Sequence, residues 1–117
     1  MHQQNKLYTK HVLGAIALIK DHIDQHPLER KTTTELSVIA CVNRNTLQKA
    51  FKEVYGEVIK EYQFKKRMEI ACARLKEGRL NIKQIASECG YENPNNFSSA
   101  FKKLYKVPPS EWQELNC

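Results

Sequence analysis

Apolar side chains recur along this chain at intervals of three and four residues, the spacing of one face of an α-helix. In the first segment they include Val12, Ile16, Ile19 and Ile23, and Pro27 marks the end of the helix that this spacing predicts. No segment shows the sustained two-residue alternation that is typical of a half-buried β-strand. The sequence therefore predicts an all-α fold.

Polar residues, glycines and prolines divide the rest of the chain into further helices. Thr32 followed by Glu35 is a candidate capping box that opens a short helix, and Gly56 is expected to close the next one. A longer helical pattern runs over 57–77 and ends at Gly78. The later helix starts and breaks are expected at Asn81, Gly90, Asn93-Pro94 and Pro108-Pro109.

The second half of the chain repeats the first. A shift of fifty residues places the segment AFKEVY, 50–55, over AFKKLY, 100–105. Before the turn the better shift is forty-nine residues, which pairs Leu36 with Ile85 and Cys41 with Gly90. The second copy therefore has one extra residue in its turn, within 91–94. The pattern is that of two helix-turn-helix units joined by a long helix.

A helix-turn-helix needs small residues where its two helices cross closely. Ala40 and Cys41 supply them in the first unit, and Ala86 and Gly90 supply them in the second. Gly90 is also expected to adopt a positive φ angle. The phenylalanine of each aligned segment, at positions 51 and 101, is expected to anchor the second helix of its unit to the core.

The balance of charge favours a polyanionic partner. Nineteen Lys and Arg against thirteen Asp and Glu give a formal net charge of +6, which suits nucleic acid or an anionic membrane surface. A membrane-surface helix bundle would expose aromatic and leucine side chains along a basic helix. Trp112, the single tryptophan, instead falls at a repeat position expected to be core. Double-stranded DNA is therefore the predicted partner, with no membrane.

The second helix of each unit carries side chains suited to DNA. Lys and Arg can donate to guanine, and Asn and Gln can pair with adenine in the major groove. The predicted base-reading residues are Arg44, Asn45, Thr46, Gln48 and Lys49 in the first unit and Asn95, Asn96, Ser98 and Ser99 in the second. The predicted phosphate contacts are Lys52, Lys102 and Lys103. For any single residue a solvated helix face is an equal alternative; the doubled, basic pattern favours DNA.

These residues resemble a known family. The motifs Ile85-Ala86, Gly90-Tyr91, Asn96-Phe97-Ser98 and Phe101-Lys102-Lys103 are similar to the signature of AraC/XylS-type transcription regulators. The first half of the same domain is matched by Leu47, Phe51-Lys52, Gly56, Tyr62, Arg67 and Ala71. The resemblance covers roughly 6–115. It implies a seven-helix domain whose two recognition helices enter successive major-groove segments on one DNA face.

The resemblance also assigns positions. Its base-reading slots fall on Asn45, Gln48 and Lys49 in the first unit and on Asn95, Ser98 and Ser99 in the second. Lys106 stands where the family usually has glycine, which leaves the helix cap at that position open. Cys41 also stands where glycine is common, and cysteine is tolerable there only without strong left-handed strain.

The predicted organisation is a single DNA-binding domain over 1–117. Helix-turn-helix subdomains at 6–56 and 79–115 are joined by a linker helix at 57–78. Family members often contact RNA polymerase or carry a separate effector-binding domain. The chain shows no such domain, so it is either a stand-alone regulator or the C-terminal piece of a longer one, and its linker-like opening residues favour the second. A protein-interaction module, with RNA polymerase as the candidate partner, is the alternative function.

The four cysteines show neither zinc-ligand spacing nor a tight disulfide framework. We interpret Cys41, Cys72 and Cys89 as small buried apolar residues. The opening residues contain no apolar leader segment, so a reducing cytoplasm is the expected compartment.

Other chemistry receives little support from the sequence. His22 and His26 have zinc-ligand spacing on one helix face, but no clear third ligand lies nearby. The chain also has no nucleophile elbow and no glycine-rich phosphate loop. We therefore predict no cofactor, no metal and no enzymatic activity.

Overall fold

The computed structural model describes residues 8–117, which form seven α-helices and no β-strand. The predicted all-α fold is confirmed. The expected start of the first subdomain at residue 6 and the linker-like opening lie outside the described residues. The helices are α1 (Lys10–Gln25), α2 (Thr33–Ala40), α3 (Arg44–Tyr55), α4 (Ile59–Glu77), α5 (Ile82–Glu88), α6 (Pro94–Tyr105) and α7 (Pro109–Asn116). None of these helices is both long enough and apolar enough to cross a bilayer.

Two compact units make up the fold, and the division between them lies at Phe64 and Lys65, within α4. The first helices of the chain therefore pack with the start of α4, and the rest of α4 packs with the helices that follow it. Because α4 belongs to both units, it completes one helical core and opens the next.

The core of the first unit brings together side chains from α1, α2, α3 and the start of α4. Phe51 is fully buried at its centre, with its ring 4.9 Å from that of Tyr55 and 5.7 Å from that of Tyr62. The other fully buried large side chains are Ile16, Ile19, Leu36, Leu47 and Ile59. Phe51 thus anchors α3 as predicted.

The second unit repeats this arrangement with its own residues. Phe101 is fully buried, 4.6 Å from the Tyr105 ring and 5.9 Å from the Trp112 ring. Trp112 matches Tyr62 of the first unit in the fifty-residue repeat, and it is half-buried against Phe101. The large side chains of Met68, Leu75, Ile85 and Phe97 are buried as well.

Each helix-turn-helix opens with a capping box, in which the side chain of each of two residues accepts the main-chain N–H of the other. The Thr32 N–H donates to Glu35 Oε1 at 2.8 Å, and the Glu35 N–H donates to Thr32 Oγ1 at 3.1 Å. In the second unit Asn81 and Gln84 make the same two bonds at 2.9 and 2.8 Å. The predicted cap at Asn81 and the predicted box at Thr32 are both confirmed.

The two boxes differ in charge, which makes the first sensitive to acid. Its bond from the Thr32 N–H lowers the pKa of Glu35 below the ordinary value of 4.5. A carboxyl group with a lowered pKa stabilises the fold above pH 4.5, and this contribution is lost as the pH falls through the folded-state pKa. We expect the difference in unfolding free energy between wild type and Glu35→Gln to shrink from pH 6 to pH 3 in urea titrations.

The Asn81–Gln84 box contains no ionisable group, so Gln84→Ala provides the matched control. The loss of unfolding free energy caused by Gln84→Ala should not change over the same pH range. A Glu35→Gln difference that is also constant with pH would contradict the role given to the carboxylate.

The turns of the two units share one backbone motif. The Val42 N–H donates to the Ser37 carbonyl oxygen at 3.2 Å, and the Tyr91 N–H donates to the Ala86 carbonyl oxygen at 2.9 Å. These are the bonds of a Schellman motif, which requires a left-handed residue just before the donor. The shift of forty-nine residues before the turn therefore holds in the structure. The extra residue of the second turn is Glu92, inside the predicted segment.

The left-handed residues of these turns are Gly90, with φ of 85°, and Cys41, with φ of 56° and ψ of 42°. The positive φ predicted for Gly90 is confirmed. Cys41 does not avoid the left-handed region, although it lies close to the ideal left-handed angles of about 57° and 47°. It is also exposed, so its interpretation as a buried residue is wrong. Its position in the turn carries its side chain away from the core.

Of the other two cysteines interpreted as buried, Cys89 is buried and Cys72 is only half-buried. Burial raises the pKa of the Cys72 thiol, and this effect outweighs the hydrogen bond with Tyr105 and the nearby Lys76 charge, which both lower it. Both thiols pack within the second unit.

The second helix of each unit ends alike, although glycine is replaced by lysine in the second unit. Gly56, with φ of 78°, and Lys106, with φ of 74°, follow α3 and α6 in the same left-handed conformation. Each donates its N–H back one turn, at 2.8 Å to Lys52 and at 2.7 Å to Lys102. Lys106 therefore repeats the geometry of the Gly56 cap.

This pair of caps predicts opposite effects of substitution. A non-glycine residue in the left-handed region costs about 1–2 kcal/mol, and a Cβ on Gly56 meets no atom within 4 Å. We expect Gly56→Ala to lower the unfolding free energy by about 1 kcal/mol and Lys106→Gly to raise it by up to about 1 kcal/mol. Urea unfolding followed by circular dichroism measures both. Changes of the same sign would contradict this account of the caps.

Candidate nucleic-acid interface

The first candidate DNA-binding helix, α3, begins after a side-chain cap. Asn43 Oδ1 accepts the N–H of Asn45 at 2.9 Å and that of Thr46 at 3.4 Å, so the start of the helix is capped by a neighbouring side chain. The helix therefore starts at Arg44, and the predicted DNA-binding residues of the first unit lie in its first three turns. Arg44, Asn45, Lys49 and Lys52 are exposed, and Thr46 and Gln48 are half-buried.

The second candidate helix, α6, begins in the same way. Asn93 Oδ1 accepts the Asn95 N–H at 2.8 Å, and Pro94 occupies the first helical position, where no N–H donor is needed. The predicted residues Asn95, Asn96, Ser99, Lys102 and Lys103 are exposed, and Ser98 is half-buried. All twelve predicted site residues therefore lie on α3 or α6, and none is buried.

The face opposite these polar residues holds each helix to its unit. Leu47, Ala50 and Phe51 are buried on α3, and Phe97 and Phe101 are buried on α6. The spacing of three and four residues confines burial to one stripe. Each helix is thus held on one side by its aromatic anchor and offers polar and basic groups on the other.

The sign of the charge reverses at one matched position of the two helices. Position 53 is glutamate on α3, whereas the corresponding position 103 on α6 is lysine. The Tyr8 hydroxyl donates a 2.7 Å hydrogen bond to Glu53 Oε2 across 45 residues of sequence. Sequence reasoning missed this contact, because neither periodicity nor spacing relates residue 8 to α3. The charge reversal between the two copies was the only available signal.

The histidine pair of α1 is engaged in a different contact. His22 Nε2 lies 2.8 Å from Glu29 Oε1, and Lys31 Nζ lies 3.6 Å from the same oxygen. The bond with His22 and the charge of Lys31 hold the pKa of Glu29 below its usual range. Within residues 8–117 no group of three or more His, Cys, Asp or Glu side chains is arranged to hold a metal ion.

Comparison with known proteins gives consistent matches. A family profile described as a helix-turn-helix domain matches residues 36–115. A putative AraC-like transcription regulator of Streptomyces lividans is 34% identical over 100 residues, which cover 86% of this chain and 32% of the relative. The chain spans 40% or less of the first curated relatives that it matches.

Solved structures share the fold. The C-terminal domain of the two-component response regulator yesN from Fusobacterium nucleatum superposes with a TM-score of 0.77 at 30% identity, covering 86% of this chain and 98% of that one. The DNA-binding domain of the transcriptional factor AdpA, solved with a target DNA, superposes with a TM-score of 0.78 at 18% identity, covering 86% and 90%. The chain belongs to the AraC family of helix-turn-helix, DNA-binding transcription regulators.

Proposed function

We propose that α3 and α6 are the two recognition helices of this DNA-binding protein and that they enter successive major-groove segments of one site. The observation that carries this proposal is the doubled arrangement of an exposed polar face over a buried aromatic anchor. The solved complex of AdpA with a target DNA supports it by showing that this fold can bind a duplex. Because the two exposed faces differ, the site is asymmetric.

The two helices contribute differently to base recognition. On α3, Asn45, Gln48 and Lys49 read base edges with longer side chains that pair bidentately or carry charge. On α6, Asn95, Ser98 and Ser99 are shorter and uncharged, so the second box is read less strictly. The first turn of each helix adds Arg44, Thr46 and Asn96.

Phosphate contacts come from the later turns. Lys52, Lys102 and Lys103 are exposed there and meet the DNA backbone. These contacts supply much of the affinity and make binding fall as salt rises.

We also propose that this chain belongs to a longer regulator with further partners. The curated relatives are much longer than this chain, which supports a role as the DNA-binding piece of a longer cytoplasmic regulator. Its effector-binding part lies elsewhere in that regulator, and RNA polymerase is a further partner.

Selection of bound duplexes from a random library, at near-physiological salt, tests this function. We expect a bipartite, asymmetric motif whose boxes lie about 10 base pairs apart. Enrichment of a single short box would show that α6 does not read base edges. Binding without any enrichment, which vanishes as salt rises, would reject sequence reading by both helices.

A further inference from the structure

A carboxylate late on a helix that faces DNA is repelled by the phosphates of the backbone. Glu53 lies one helical turn after Lys49, so the two side chains share a side of α3. Its counterpart Lys103 carries the charge that phosphates attract. A free Glu53 would repel the DNA backbone and could also pair with Lys49, which we have placed among the base readers.

The structure provides a restraint in Tyr8. This residue lies before α1, is half-buried and packs against the core of the first unit. Its hydroxyl is 2.7 Å from Glu53 Oε2, and Glu53 is itself half-buried. The same hydrogen bond raises the pKa of the Tyr8 hydroxyl, so the hydroxyl remains a donor at neutral pH.

The position of Tyr8 is set by its neighbours. The next residue, Thr9, caps α1, and its Oγ1 accepts the Val12 N–H at 3.2 Å. Ring packing and this helix start together hold the Tyr8 hydroxyl beside α3. The donor is thus part of the folded unit.

We propose that Tyr8 is a positioning residue for DNA binding, whose hydroxyl holds the Glu53 carboxylate against the first unit and away from the phosphates and from Lys49. The proposal rests on the proposed function of α3 as a recognition helix. It explains how α3 carries an acidic residue where α6 carries a basic one. It also assigns to residue 8 an effect on DNA affinity that requires no contact with DNA.

A double-mutant cycle on the selected duplex tests this role, using Tyr8→Phe, Glu53→Gln and the two together. Tyr8→Phe removes only the hydroxyl and should weaken binding about two- to fourfold at low salt, since it frees one charge near the backbone. The loss should shrink as salt screens that charge. In the Glu53→Gln background the same Tyr8→Phe change should leave the affinity constant, because no charge remains to restrain.

A purely structural role for Tyr8 gives a different pattern. It would make Tyr8→Phe equally damaging in both backgrounds and at all salt concentrations, and this result would overturn the proposal. So would an unchanged affinity in the Tyr8→Phe protein. Circular dichroism of all four proteins checks that each is folded before binding is compared.

Lys103→Glu serves as the comparison in the second unit. It places a carboxylate at the position matching Glu53, and it should weaken binding more than Tyr8→Phe does, since it also removes a phosphate contact. Failure of the wild type to select any duplex sequence would reject the proposed function itself. Normal selection with no Tyr8 effect would reject only this inference.

Discussion

Replacing Phe51 with alanine is expected to destabilise the first unit by about 3–5 kcal/mol. The side chain is fully buried, and its ring meets those of Tyr55 and Tyr62 at 4.9 and 5.7 Å. Truncation therefore leaves a cavity under α3 as well as losing apolar burial. Because the unit is small, a loss of this size is comparable to the whole stability of a marginal domain. Urea unfolding followed by circular dichroism measures it.

Phe101→Ala is the matched variant in the second unit. Trp112 fluorescence reports on that unit directly, because its ring lies 5.9 Å from Phe101. On the selected duplex, Phe51→Ala should lose discrimination at one box and Phe101→Ala at the other. A Phe51→Ala protein that loses less than about 1 kcal/mol, or that binds both boxes as wild type does, would contradict the anchoring role.

Gln48→Ala is expected to cost about 1–3 kcal/mol on the preferred duplex, which is a five- to 150-fold loss of affinity. Gln48 is half-buried on α3, next to the fully buried Leu47. The Gln48 amide can pair bidentately with adenine. A scrambled duplex presents adenine at the matching position only by chance. Fluorescence anisotropy on specific and scrambled duplexes measures the difference.

Lys52→Ala is the control for this reading of base edges. It removes a phosphate contact and should weaken binding about equally on both duplexes. It should also reduce the slope of log affinity against log salt by about one. Equal losses on both duplexes for Gln48→Ala would show that Gln48 is not a base reader.

Much of the fold follows from local signals in the sequence. The helix starts at Thr32 and Asn81 and the ends at Gly56 and Gly78 were predictable because a cap depends on residues within one turn of it. The aromatic anchors were predictable for another reason. The repeat places Phe51 over Phe101, and two independent copies of one apolar pattern reduce the ambiguity of each.

The remaining features depend on geometry that the sequence pattern does not encode. Free cysteine is most often a small buried residue, but the place of Cys41 in the turn makes it left-handed and exposed. Lys106 ends α6 as Gly56 ends α3, because the surrounding turn imposes a positive φ on a residue that does not favour it. The hydrogen bond between Tyr8 and Glu53 joins distant parts of the chain, so it could be found only in the folded structure.

Both helix-turn-helix units are expected to read one DNA site together, and a change of box spacing tests this most directly. Five base pairs inserted between the selected boxes rotate one box by about half a turn away from the other. We predict that affinity then falls to that of a duplex with a single intact box. Unchanged affinity after the insertion would contradict simultaneous reading by α3 and α6.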